Sequence, residues 1–249
     1  MEPEELVKKM DEILEEGLER INYFSEEITP GKARMFVLQH RLNSRYRNST
    51  LKLRVATNCT VWEIKINILE ACSEEILGDY KYFDGKPHWK MLEELGLQLG
   101  LKKEQIQSER PLRTTRAAWF MYEGLMSNTH WLLGLLGNTC MERAFIPNHG
   151  RKILLNKGVA LFEYERWMQA LKLKPDQLTF FYIHSKADVE HSENGWKNIA
   201  KYAKRFGLEE EILRHLEMNM FAWKTYYDGV NEAGKKLDNG SIPDYSYEA

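Results

Sequence analysis

Apolar residues recur along this chain with the period of an α-helix. Gly, Pro and polar turns separate the stretches that carry the period. Between Glu4 and Tyr23, the residues Leu6, Met10, Ile13, Leu14, Leu18 and Ile21 share one face with charges between them, which predicts an amphipathic helix. Thr29 or Pro30 starts the next, which carries Met35, Phe36, Leu38, Gln39 and His40 onward past Tyr46. Val61 to Leu77 repeats the pattern with Ile64, Ile68, Leu69, Cys72 and Ile76, and Gly78 stands where a helix would end. Asp79 to Pro87 reads as a loop and His88 to Leu97 as a helix. Thr114 or Thr115 caps a helix reaching Met126, and Trp131 to Ile146 is a Leu- and Gly-rich helix stopped by Pro147. Lys152 to Leu171, a helix opened by Pro175 that runs to Gly195 or beyond, and Glu209 to Val230 complete the series. Strand-like alternation is confined to short pieces such as Leu51 to Ala56. The expectation is an all-α fold, one helical domain over residues 1–249 with about seven or eight helices, fraying from about residue 236.

Composition narrows the function classes. With 249 residues, 43% of them hydrophobic, the chain can bury a substantial core. Its 35 basic and 37 acidic residues give a net charge of −2, so no basic surplus points to nucleic acid or an anionic membrane. No apolar run approaches the ~20 residues of a membrane span. Met1-Glu2-Pro3-Glu4-Glu5 lacks the features of a signal peptide. Cys59, Cys72 and Cys140 are scattered and show no metal-binding spacing. A reduced, cytoplasmic protein is expected, with helix faces available for a homodimer.

The chemistry is concentrated in Phe180 to His191, where His184, Asp188 and His191 stand at i, i+4 and i+7. On a helix these form one stripe. Two imidazoles and a carboxylate suit iron, manganese or zinc, although such a stripe is also what a solvated helix face looks like. Further ligands would be carboxylates inside apolar helices, where an unpaired charge is costly. Glu142 lies within Leu132 to Ile146, and Glu75 continues the stripe of Ile64, Ile68 and Cys72. Glu70 and Glu74 fall on a more polar arc with Asn67, and His88 begins its own helix. His40, His130, His149 and His215 stand singly and read as hydrogen-bonded or exposed residues.

Taken in order, these segments resemble the haem-oxygenase-like di-iron oxidases, relatives of thiaminase-II and of pyrroloquinoline-quinone synthase. The likeness rests on Cys72-Ser73-Glu74-Glu75-Ile76-Leu77-Gly78, on His88-Trp89-Lys90-Met91-Leu92 to Leu95-Gly96, on Cys140-Met141-Glu142-Arg143-Ala144-Phe145-Ile146-Pro147, and on Phe181-Tyr182-Ile183-His184 through His191. The longer Asp79–Pro87 loop leaves Glu74 or Glu75 as the ligand.

The resemblance implies a haem-oxygenase-like bundle and a metal centre of Glu75, His88, Glu142, His184, Asp188 and His191. It implies two iron ions, with manganese as a substitute and O2 as cosubstrate. One division sets His88, His184 and Glu142 on one iron, and Glu75, Asp188 and His191 on the other. The activity implied is oxidation of a small molecule, an amine, an amino-acid derivative or a fatty-acid-like compound, in a biosynthetic pathway, with an external electron donor. Tyr46, Trp119, Tyr122, Trp131 and Tyr182 are aromatic candidates for a substrate pocket, although aromatic residues more often fill a core. Two other readings remain. A metal-independent hydrolase of the thiaminase-II type would need a cysteine nucleophile, for which Cys140 is the candidate. A non-catalytic metal-binding helical protein would keep the ligands and lack the reaction.

Overall fold

The computed structural model describes residues 1–78, 80–81, 84–144 and 163–246, without the side chains of residues 138 and 185–191. Twelve α-helices occur among the described residues, and no strand. They are α1 (Pro3–Glu19), α2 (Asn22–Ser25), α3 (Pro30–Tyr46), α4 (Lys52–Asn58), α5 (Trp62–Ile76), α6 (His88–Gln98), α7 (Lys103–Gln107), α8 (Arg113–Ser127), α9 (Trp131–Ala144), α10 (Glu163–Leu171), α11 (Thr179–Phe206) and α12 (Glu209–Asp238). A π-helical turn, Arg47–Leu51, joins α3 to α4. The all-α expectation holds, with more segments than the seven or eight read from periodicity because short helices fill several turns.

The long α12, about 45 Å by its length, is the axis of the bundle. It packs against α3, α8, α1 and α9. Accordingly its buried residues run right along it, from Ile212 and Leu216 through Trp223, Tyr226 and Tyr227 to Val230 and Ala233. The outer helix α1 is apolar on one side only: Leu6, Met10, Leu14 and Leu18 are buried. Leu51 to Ala56, ambiguous in sequence, is helical, and continues α3 through the π turn.

Local signals place several ends. Thr29 caps α3 by accepting from the Lys32 backbone N–H at 3.2 Å, with Pro30 in the first turn. Leu112, rather than Thr114 or Thr115, stands at the cap of α8. There the chain end takes over the orphan groups: Arg113 N–H donates to the Asp244 carbonyl at 3.0 Å and Ser246 N–H to the Pro111 carbonyl at 2.9 Å. α12 runs to Asp238, and the described segment beyond it is tied to the start of α8 through the Leu112–Tyr245 bridge. No helix among the described residues is long and apolar enough to cross a membrane.

The α3–α12 seam is closed by two glycines. A Cβ on Gly234 would lie 2.4 Å from the Lys32 Cα, and one on Gly31 would lie 2.4 Å from the Gly234 carbonyl oxygen. Both are backbone atoms, so neither can swing aside. Gly234→Val should therefore lower stability by about 1–3 kcal/mol or more, read as a shift of the urea midpoint. An unchanged midpoint would show that the helices separate freely.

Candidate metal centre

Three helices bring Glu75, His88 and His184 together. Glu75 lies in the last turn of α5 and His88 at the first position of α6. The connecting loop doubles back tightly: a Cβ on Gly78 would sit 2.3 Å from the Gly85 carbonyl oxygen. Trp89 Nε1 then donates to the Ile76 carbonyl at 3.2 Å, pinning the start of α6 to the end of α5. Arg41 holds α6 to α3 through Glu93, at 2.6 Å. His184 comes from the second turn of α11.

The result is a compact donor set. Glu75 Oε2 lies 3.1 Å from His88 Nδ1, and Glu75 Oε1 lies 4.0 Å from His184 Nε2. One donor atom from each of the three residues falls within 4.8 Å of the others. The two imidazole centroids are 4.6 Å apart. His184 Nδ1 is 2.7 Å from the Phe180 carbonyl. A carbonyl only accepts, so Nδ1 carries the proton and Nε2 presents its lone pair toward Glu75. Ser44 Oγ donates to Glu75 Oε2 at 3.3 Å, and Asn48 Nδ2 donates to Ser44 Oγ at 3.2 Å. These are the orienting contacts that a metal-binding carboxylate and imidazole need.

Electrostatics follow from burial. Burial would raise the Glu75 carboxyl, but His88, His184 and Lys52 outweigh it and hold it well below the usual carboxylate range. Burial, then the neighbouring His88, pushes His184 down to about 4, so its ring is neutral at pH 7. His40, read in sequence as an ordinary hydrogen-bonded residue, does bond, with Nδ1 3.1 Å from the Tyr226 hydroxyl. It also lines the same cavity, and burial and the Arg47 charge push it down to about 3.

Other expectations divide. Glu75 rather than Glu74 belongs to the donor set, while Glu70 and Glu74 line a separate polar cavity with Lys52 and Lys81. Glu142 lines both cavities, but its carboxylate is 3.6 Å from the ammonium of buried Lys52. Burial would lower Lys52, yet Glu142, Cys72 and Glu75 keep it raised, hence charged. The expected division set Glu142 beside His88 and His184 and Glu75 apart; in the structure it is Glu75 whose oxygens face the two histidines. Asp188 and His191 belong to α11, but their side chains lie outside the described residues.

Beside the donor set is a cavity of about 100 Å3, walled by Phe36, Phe180, Phe181, Met141, Trp223 and Tyr227. Tyr46, Trp119, Tyr122, Trp131 and Tyr182 do not line it. The signal that would have found the right residues is the spacing of four itself. His40, Ser44 and Asn48 form a polar stripe on a mostly buried helix, and Trp223 and Tyr227 form an aromatic one on α12. Cys140 is fully buried and burial pushes its thiol up to about 12, the reverse of what a nucleophile needs.

A family model described as iron-containing redox enzyme matches residues 35–224, a span that takes in all of these donors. Among solved structures, the chain is similar to a domain of unknown function with a haem-oxygenase-like fold from Shewanella denitrificans OS217. The identity is 14%, the TM-score 0.69, and the match covers 98% of this chain and 96% of that one. No curated protein matches the chain.

Histidines held neutral in the folded chain make its stability depend on pH. The unfolded chain binds the proton first, near pH 6.5, so this stability is complete above that value. It falls with acidification down to about pH 4 for His184 and about pH 3 for His40. Each histidine contributes roughly 1.4 kcal/mol per pH unit across its window. In the metal-free protein, His40→Gln should remove part of this slope, measured by urea denaturation at graded pH. An unaltered slope would show that His40 titrates normally.

Proposed function

The chain belongs to a family of iron-containing redox enzymes, and on that premise we propose that it is a non-haem iron oxidoreductase that activates O2 to oxidise a small organic molecule. The observation that carries this reading is the convergence of Glu75, His88 and His184 beside an aromatic cavity. Two imidazole nitrogen donors and one carboxylate fit iron(II), and the same donor types suit oxygenase iron with open coordination positions. In a two-iron form, Glu142, Asp188 and His191 would complete the ligand set, with manganese as the substitute metal. Bound iron(II) would supply the electrons for reducing O2, to be restored by an external donor.

The chain's own residues have separable roles. The Phe180 carbonyl keeps the proton on His184 Nδ1, so Nε2 is available without a deprotonation step. Ser44, itself oriented by Asn48, fixes the Glu75 carboxylate through a hydrogen bond to Oε2. His40 stays uncharged at neutral pH and stacks on Phe36 at 4.6 Å, which keeps the cavity wall continuous. The aromatic wall excludes water and strengthens every charge interaction inside it. Lys52 offsets the charge of Glu142 while no second ion is bound. A hydrolase built on Cys140 is disfavoured by the same structure, since its thiol lies outside the cavity lining and resists ionisation.

The test is anaerobic titration with Fe(II), followed by O2 uptake. Wild-type protein should take up iron and consume O2, and Glu75→Ala or His88→Ala should lose tight binding. Ser44→Ala should weaken binding by roughly 10-fold to 100-fold, as for other supports of metal ligands. Wild-type protein that takes up no iron would sink the proposal.

A further inference from the structure

Six lysine and arginine side chains are buried among the described residues: Lys32, Arg41, Arg47, Lys52, Arg143 and Arg166. Five have evident partners. Lys32 donates to the Tyr23 and Glu26 carbonyls, Arg41 pairs with Glu93, Lys52 with Glu142, Arg143 with Asp11 and Arg166 with Glu163. Arg47 is the exception. It is 6% exposed, makes no ion pair or hydrogen bond among the described residues, and its Nε is buried without an acceptor. Its charge rests only on aromatic faces, with the guanidinium carbon 4.2 Å from the Trp223 ring centroid and 5.4 Å from that of Tyr122.

An unpaired buried guanidinium is costly, and cation–π contact returns about 2 kcal/mol at best. Its position explains why it is kept. Arg47 and Asn48 open the π turn, a distortion often found at functional sites. Both line the cavity beside Glu75 and His184. Asn48 Oδ1 is likewise buried without a donor, so two polar groups of this one turn are unengaged. Ser44, which holds Glu75, lies one turn earlier on the same helix.

We propose that Arg47 is the anchor for the carboxylate of the substrate, which makes the substrate an organic monocarboxylic acid whose apolar body lies against Phe36, Phe180, Phe181 and Trp223. A guanidinium offers a carboxylate two parallel N–H donors. Arg47 is the one lysine or arginine in the described lining, which also holds Glu75, Glu142 and Glu163, so the cavity has no second cation for a phosphate dianion and suits a monoanion better. This inference rests on the cavity being the substrate site of the proposed iron enzyme.

The test uses the full chain freed of metal by a chelator, so that binding is read without turnover. Isothermal titration calorimetry would follow straight-chain acids from acetate to dodecanoate, hydrocinnamate, the primary amide of each, and inorganic phosphate. At least one acid should bind wild-type protein at least tenfold more tightly than its amide, and phosphate should not displace it. Arg47→Gln and Arg47→Met should lose that binding at least tenfold, with Arg47→Lys between. The acid-to-amide comparison needs no variant, so it stands even if a substitution disturbs folding. The proposal is overturned if no acid binds, if acid and amide bind alike, if phosphate is preferred, or if the Arg47 variants bind unchanged. A parallel Co(II) titration separates the two readings. Cobalt uptake without acid binding removes the anchor and keeps the metal centre, whereas Arg47-dependent acid binding without cobalt uptake does the reverse.

Discussion

The carboxylate of Glu75 is the point on which the interior of this bundle depends. It receives His88 from α6, faces His184 from α11 and accepts from Ser44 on α3, while belonging itself to α5. Four helices are thus referred to one charged group inside the protein. A carboxylate there is tolerable only when its oxygens are engaged. The close approach of Gly78 to Gly85 and the Trp89–Ile76 hydrogen bond serve that requirement by holding the start of α6 against the end of α5. The rest of the site is arranged around the same charge, with imidazoles kept neutral on one side and the Lys52–Glu142 pair on another.

Helix content was legible in the chain because a 3.6-residue period survives wherever one face is buried. Leu6, Met10, Leu14 and Leu18 on α1 are the plainest case. The segments that escaped were those where the period breaks. Leu51 to Ala56 follows a π turn, which displaces the pattern and mimics alternation. The cap of α8 was misread because the signal used there comes from the opposite end of the chain, through Asp244 and Ser246, which local sequence cannot reveal.

For the site, residue type was more informative than pairing. Glu75, His88 and His184 stood out as ligand types set in helical stretches, and the three converge. Which carboxylate faces which histidine depends on the rotation of each helix about its axis, and periodicity does not fix that between helices. Glu142 illustrates the gap. An acidic residue in an apolar helix reads as a ligand, yet a buried lysine contributed by α4 answers it equally well. Arg47 lay unnoticed for the complementary reason, because an arginine near a polar Asn-Ser-Thr stretch resembles a surface residue until the turn that buries it is seen.

That π turn has a consequence for how the chain can change. A π turn closes its hydrogen bonds one residue later than an α turn, so it behaves as a single-residue insertion within the continuous rod of α3 and α4. Deleting one residue between Arg47 and Leu51 would restore a regular helix and leave the residues after it close to their present facing, because the π turn already absorbs one extra residue. Lys52 would still face Glu142, and Val55 and Ala56 would keep their places in the core. A one-residue change of length here would therefore alter the cavity wall that Arg47 and Asn48 form while sparing the bundle beyond it.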